Sequence, residues 1–312
     1  MAEFHPDLRD ARFLPRFSFG PRIVRAINRL PAPRRRAPED LRIDDLRVPG
    51  PEGAPPVGIR IYRPRSLRGA APALVWVHGG GMVIGNHLID EASSIDFART
   101  LGITVVSVDY RLSPQHVAPA AVEDVHAVIT WLLEHAEGRG VDATRVAIGG
   151  ASAGGGLAAG VAQLVRDRGE DSLAFQLLVY PMLDDRTVLR TDLSTDGVRM
   201  WTPGSNRFGW TSYLGHAPGP VPASPYAAPA RRDDLTGLPP AWIGVGSLDL
   251  FLDEDVRYAE RLREAGVACE LEIVPGAFHG FDAVMRTKEV SRRFWRSQAA
   301  ALEGAFGPAA SD

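Results

Sequence analysis

The sequence predicts an α/β fold, a mostly parallel sheet covered by helices on both faces, with a helical cap. Three observations carry this. Short, continuously apolar runs alternate with longer segments of helical spacing, the pattern of strands buried on both faces. One junction, Val146–Gly156 (VAIGGASAGGG), places an apolar strand, a glycine turn and the start of an Ala-rich helix in direct succession. Finally, residues 181–240 interrupt the alternation with a proline-rich stretch too long for an ordinary connection.

Residues 1–40 carry Pro6, Pro15, Pro21, Pro31, Pro33 and Pro38 among many arginines. The apolar Phe13, Leu14, Phe17, Ile23, Val24 and Ile27 suggest two short amphipathic helices that cannot form a core alone. They are expected to lie across the main body as a cap segment. Arg34-Arg35-Arg36 reads as a solvated linker. Leu41–Val48 and Val57–Tyr62, separated by a Pro/Gly turn, read as an antiparallel hairpin.

The alternation then begins. Strands are expected at Ala73–Val77, Ile103–Val108, Arg145–Gly149, Phe175–Tyr180, Ala241–Val245 and Cys269–Val274. Helices are expected near Glu91–Leu101, Pro119–Ala136, Ala153–Arg168, Asp255–Ala265 and Val290–Leu302. The catalytic core is thus expected at 41–180 and 241–312, with 181–240 as a cap insertion. Trp201, Phe208, Trp210 and Tyr213 in that insertion suit either a pocket lining or the cap's own core.

Composition narrows the function. At 312 residues and 45% hydrophobic, the chain is ample for a core. A net charge of −3 with dispersed basic residues suggests neither nucleic acid nor stable membrane association. Lys288 is the only lysine, which points to coding bias rather than an arginine-based function. The single Cys269 excludes an intrachain disulfide, and its alternation with Val267, Leu271 and Ile273 suggests a buried thiol. The N-terminus shows no signal-peptide stretch and no run of about 18 apolar residues occurs, so a cytoplasmic protein is expected. Homodimerisation is left open.

Ligands of open α/β sheets bind beyond the carboxyl ends of the strands. Gly150-Ala151-Ser152-Ala153-Gly154 follows a strand and opens a helix, the context of a nucleophile elbow. His78-Gly79-Gly80-Gly81 follows another strand, and its glycines leave backbone N–H groups free to face a developing oxyanion. Asp249, Asp253, Glu254 and Asp255 follow a third. His279, flanked by Gly276 and Gly280, follows the last. Among eight histidines it is the best placed to take a serine proton, whereas His78 more simply braces its loop. Asp253 and Asp255 sit where a helix starts and suit capping. Asp249 lies in the loop before it, which favours Asp249 as the acid in the order Ser152, Asp249, His279. No spacing of His, Cys or carboxylates suggests a metal or cofactor.

The chain resembles the hormone-sensitive-lipase-like branch of the α/β-hydrolases, the bacterial family IV esterases, from about Leu74 to Phe281. The resemblance rests on His78-Gly79-Gly80-Gly81, Asp109-Tyr110-Arg111-Leu112-Ser113-Pro114, Gly150–Gly155, Tyr180-Pro181, Asp249 and His279-Gly280-Phe281. It implies an eight-stranded sheet, a cap from the N-terminal helices plus an insertion, and cofactor-free hydrolysis of a small-molecule carboxylic ester. It further implies an oxyanion hole from the N–H groups of Gly79, Gly80 and Ala153. Ala151, Gln115 and Leu250 depart from the usual Asp or Thr, Glu and Pro. The reading is a serine carboxylesterase for short-chain esters. An amidase or small-molecule deacetylase would share the nucleophile and oxyanion hole. A non-catalytic ligand-binding member of the fold would lack the histidine.

Overall fold

A computed structural model describes residues 3–30, 38–170, 173–219 and 223–307. In chain order it runs α1 (Pro21–Ile27), β1 (Leu41–Val48), β2 (Val57–Pro64), β3 (Ala71–Val77), α2 (Glu91–Leu101), β4 (Thr104–Asp109), α3 (Ala120–Glu134) and α4 (Ala136–Arg139). It continues with β5 (Val141–Ala151), α5 (Ala153–Arg168), β6 (Phe175–Val179), α6 (Pro203–Leu214), β7 (Ala241–Gly246), α7 (Leu252–Glu264), β8 (Cys269–Val274), α8 (Phe281–Val284) and α9 (Glu289–Phe306).

The eight strands form one sheet in the order β1-β2-β4-β3-β5-β6-β7-β8. The hairpin β1–β2 is antiparallel and joins β4 antiparallel, with Ile61 opposite Val106. Every later pairing is parallel. β3, β5, β6 and β7 occupy the middle, and their burial on both faces explains their unbroken apolar runs. One face carries α3, α5 and α7, with Val125, Leu157 and Tyr258 in a single core cluster. The opposite face carries α2 and α9, with Phe97, Phe294, Leu302 and Trp242 in a second core cluster.

Helix and strand expectations hold within a few residues, with instructive exceptions. The first N-terminal element, Pro6–Phe13, is a 3-10 helix, and it buries Leu8 and Ala11 rather than Phe13, which is 74% exposed. α1 buries only Val24, and Ile23 within it and Phe17 before it are exposed. β8 is an edge strand, so the period-2 pattern there describes a half-open face. Cys269 is only partly buried and Ile273 is exposed, contrary to the expected core thiol. Burial nonetheless pushes the Cys269 thiol up to about 11. The Arg34–Arg36 linker lies outside the described residues.

The long insertion holds two 3-10 turns (Asp185–Leu189 and Pro229–Arg231) and α6. Thr202 caps α6 by accepting the Ser205 N–H, a contact worth about 1 kcal/mol. Trp201, Trp210 and Tyr213 are buried in the same core cluster as α3 and α5, and Phe208 is half-buried. Of the two roles open to these aromatics, the first three fill a core.

Candidate active site

β5 ends at Ala151 and α5 begins at Ala153, leaving Ser152 alone in the turn with φ 57° and ψ −121°. A positive φ costs a non-glycine residue of order 1–3 kcal/mol, so the surroundings must hold it. They do. The Ser152 N–H donates to Val179 O (2.8 Å), and its carbonyl accepts from Gly156 (3.1 Å) and Met182 (2.9 Å). A side chain at Gly154 would place Cβ 2.0 Å from Val77 O, and at Gly150 2.5 Å from the same oxygen. Both positions therefore exclude any larger residue. Although Ser152 precedes a helix, its hydroxyl caps nothing and stays available.

That hydroxyl lies 2.9 Å from His279 Nε2, and His279 Nδ1 lies 2.8 Å from Asp249 Oδ2. All three side chains are buried. The Nδ1–H donates to the carboxylate, which leaves Nε2 as the acceptor for the serine hydroxyl. The loops bearing Asp249 and His279 are laced together. Leu248 N donates to Ala277 O (2.8 Å), Ser247 N to Val274 O (2.9 Å) and Gly276 N to Ser247 Oγ (2.8 Å). Two rings hold the imidazole edge-on, Tyr180 at 4.9 Å and Phe251 at 5.2 Å between centroids. Tyr180 is itself anchored by donating to Asp282 Oδ1 (2.8 Å). Phe251 escaped sequence reading, because an aromatic before a helix has no local signature of an imidazole contact.

The acidic run distributes differently from the capping expectation. α7 starts at Leu252, earlier than expected, so Asp249 is not free of helix duty: its Oδ1 accepts from Phe251 N (3.0 Å) while Oδ2 holds the histidine. Asp253 caps nothing and pairs with Arg190 at the surface (2.7 Å). Glu254 reaches across to the insertion, accepting from Leu183 N (2.7 Å), Asp184 N (3.1 Å) and Thr187 Oγ1. Asp255 is fully buried, and neither carboxylate oxygen has a hydrogen-bond partner. Burial, then the neighbouring Glu254 and Asp249 charges, push the Asp255 carboxyl well above its usual range. Burial does the same to Glu254, against the pull of its hydrogen bonds.

The glycine loop after β3 lies across from the elbow, where a Cβ on Gly79 would stand 3.5 Å from Ser152 Cβ. His78 donates from Nδ1 to Gly79 O (2.7 Å) and stacks on Tyr110 at 4.2 Å, while the Tyr110 hydroxyl donates to His78 O (2.9 Å). Burial holds His78 down at about 4, so it braces the loop as a neutral ring. Asp90 is half-buried, and desolvation pushes its carboxyl up to about 6 against the Trp76 indole N–H, which donates to Oδ2 (3.0 Å) and favours the charged form. The Gly79, Gly80, Gly81 and Ala153 N–H groups have no backbone acceptor in a loop or turn among the described residues.

The N-terminal segment and the insertion meet over this loop. The Trp201 ring packs against Gly81, where a Cβ would fall 2.1 Å from it, and Phe19 lies 5.8 Å from Trp201 on the other side. Phe19 N donates to Ser205 Oγ (2.9 Å), Arg199 Nε to Ala11 O (2.9 Å), and Asn28 Nδ2 to Val83 O (2.8 Å). A cavity of about 910 Å³ lies beside them, walled by Ile27, Leu30, Ile84, Ile89, Tyr110 and Gln115 among others. Its lining does not include Ser152, His279 or Asp249. Ile84, part of that lining, packs on Gly80. No group of three or more His, Cys, Asp or Glu among the described residues is arranged to hold a metal ion. None of the described helices is long and apolar enough to cross a membrane.

A doubly covered parallel sheet with a strained serine at a strand–helix turn defines an α/β-hydrolase. Comparison with known proteins makes the assignment specific. The model of a family described as alpha/beta hydrolase fold matches residues 74–283. The chain is 38% identical to esterase LipI of Mycobacterium tuberculosis, over 80% of this chain and 78% of that protein. It is 36% identical to carboxylesterase NlhH of the same species, over 84% and 82%. Among solved structures, a bacterial heroin esterase superposes with a TM-score of 0.88 at 35% identity, covering 98% of both chains. The chain therefore belongs to the hormone-sensitive-lipase-like branch of the α/β-hydrolases. It is a carboxylic ester hydrolase.

Proposed function

We propose that the protein is a serine esterase acting on short-chain carboxylic esters through Ser152, His279 and Asp249. The observation that carries this reading is the continuous relay from Ser152 Oγ through both imidazole nitrogens to Asp249. Ser152 Oγ attacks the ester carbonyl while His279 Nε2 takes its proton. Asp249 holds the ring in the required tautomer and stabilises the imidazolium. His279 then returns the proton to the leaving alkoxide, and water repeats the attack on the acyl-enzyme.

The tetrahedral oxyanion falls to the backbone N–H groups of Gly79, Gly80 and Ala153, which have no loop or turn acceptor among the described residues. Loss of one such donor raises the barrier by about 3–4 kcal/mol. A short acyl group suits the site because Trp201 and the buried Met82 already fill the volume beside the glycine loop. The family expectation of a cap from residues 1–40 and 181–240 is supported by the bonds joining Phe19 to Ser205 and Arg199 to Ala11.

A panel of p-nitrophenyl esters of graded acyl length, with Ser152→Ala as control, tests both parts. The reading expects the highest kcat/KM at two to four acyl carbons, a window of roughly that size being our proposal from the filled pocket. It also expects near-complete loss in Ser152→Ala. Full activity of Ser152→Ala would refute the mechanism. A preference for long acyl chains would refute only the substrate class.

A further inference from the structure

Charge and apolar exposure coincide at one place on this molecule. Between Ala11 and Leu30 stand Arg12, Arg16, Arg22, Arg25 and Arg29, with no Asp or Glu, in a chain whose net charge is −3. All five arginines are exposed. None forms an ion pair among the described residues; Arg16 bonds only the Thr195 carbonyl, and Arg12 lies over the Phe13 ring at 4.6 Å. Elsewhere on the surface the arginines are commonly matched, as Arg99 with Asp40, Arg190 with Asp192 and Arg232 with Asp167.

The same segment exposes the largest apolar side chains of the N-terminal region. Phe13 is 74% exposed, Leu30 71%, and Phe17 and Ile23 above 40%. α1 organises part of this array. Val24 points into the core, Ile23 and Ile27 share a face by their spacing of four, and Arg22 and Arg25 share the adjoining one by their spacing of three. Leu30 and Ile27 continue onto the rim of the large cavity, where the exposed Ile89 joins them. Exposed apolar groups bordered by cations, with no carboxylate among them, match an anionic lipid surface: the rings and aliphatic chains enter the acyl boundary while the guanidinium groups meet phosphates. A nucleic acid would satisfy the arginines but would leave Phe13, Ile23 and Leu30 in water.

We infer that residues 12–30 form a docking surface for an anionic lipid bilayer, set at the rim of the large cavity. The sequence had argued against a membrane because basic residues are dispersed over the chain as a whole. The fold adds that one exposed segment is free of acids. The inference does not depend on which residues perform the ester hydrolysis.

The test is sedimentation of the full chain with vesicles of phosphatidylcholine containing phosphatidylglycerol, beside vesicles of phosphatidylcholine alone. Binding to the anionic vesicles should exceed binding to neutral ones at least tenfold and weaken with salt. Arg22→Gln/Arg25→Gln should lower the partition coefficient about 25-fold, and Phe13→Ser/Ile23→Ser about tenfold or more. Turnover of a soluble ester should stay at the wild-type value in both variants, which reports that they fold. No sedimentation with anionic vesicles would overturn the inference, as would wild-type binding by the arginine variant. Salt-sensitive binding that ignores Phe13→Ser/Ile23→Ser would also overturn it, in favour of a general polyanion site.

Discussion

The elbow and the acidic turn follow β5 and β7, with β6 between them, and contribute to one relay, yet they are specified by different physics. Around Ser152 the constraint is steric. Gly150 and Gly154 face Val77 O so closely that their identities follow from the backbone path. Between Asp249 and Asp255 the constraint is electrostatic. Four acids occupy seven consecutive positions, and only the fold separates their roles. One acid orients a histidine, one pairs at the surface, one clamps the insertion, and one is buried without a partner. Steric requirements leave a residue-type signature in a sequence. Burial and partner choice leave almost none, because a carboxylate residue is spelled the same whether it orients, pairs, clamps or is buried.

That contrast can be tested by substitution. The largest effect is expected at Asp249→Asn, which keeps an oxygen for the Phe251 N–H but favours the wrong imidazole tautomer. We expect kcat to fall by about 10⁴ with little change in Tm. If kcat falls less than tenfold, another acid serves His279. Next comes Gly154→Ala. Its Cβ must displace the Val77 carbonyl, a main-chain atom that cannot step aside, and a loss of about 4 kcal/mol or more in unfolding free energy is expected. A variant with wild-type stability would show that the elbow relaxes, and the steric half of the contrast would fail.

Asp255→Asn tests the electrostatic half through pH. A carboxyl whose native pKa is raised binds its proton more tightly in the folded state. Its contribution is therefore complete below the unfolded pKa, about 4, and is lost as pH rises toward the native value. Asn cannot ionise, so the Tm of Asp255→Asn should gain on wild type steadily from pH 4 to pH 8. Parallel Tm curves over that range would mean that the buried carboxyl is matched by a cation or solvent. Glu254 remains in the variant and shares the direction of shift, so a reduced slope is expected rather than none. The smallest effect belongs to Asp253→Asn. Its bond to Arg190 is exposed at both ends, and a change within a few tenths of a kcal/mol is expected, with kcat unaltered.

The same distinction explains what the sequence disclosed. The sheet, its strand ends and the order Ser152, Asp249, His279 were legible because unbroken apolar runs and glycine turns have period and position. The exposed face of β8 was not: Val267, Cys269, Leu271 and Ile273 alternate like a core strand, and only the sheet order shows that β8 is an edge. The burial of Leu8 and Ala11 in place of Phe13 was hidden by a 3-10 helix, whose side chains follow a different period from the α-helix.

The relay from Ser152 to Asp249 is tested most directly by covalent labelling. The protein is treated with an organophosphonate ester, and intact mass and peptide mapping are followed over time. One phosphonyl group per chain is expected, on Ser152 Oγ. It should be absent from Ser152→Ala and formed at least a hundredfold more slowly by Asp249→Asn and His279→Ala, a conservative share of the loss expected when the base or its orienting acid is removed. Labelling of any other residue, or of Ser152 at an unchanged rate in those two variants, would contradict it.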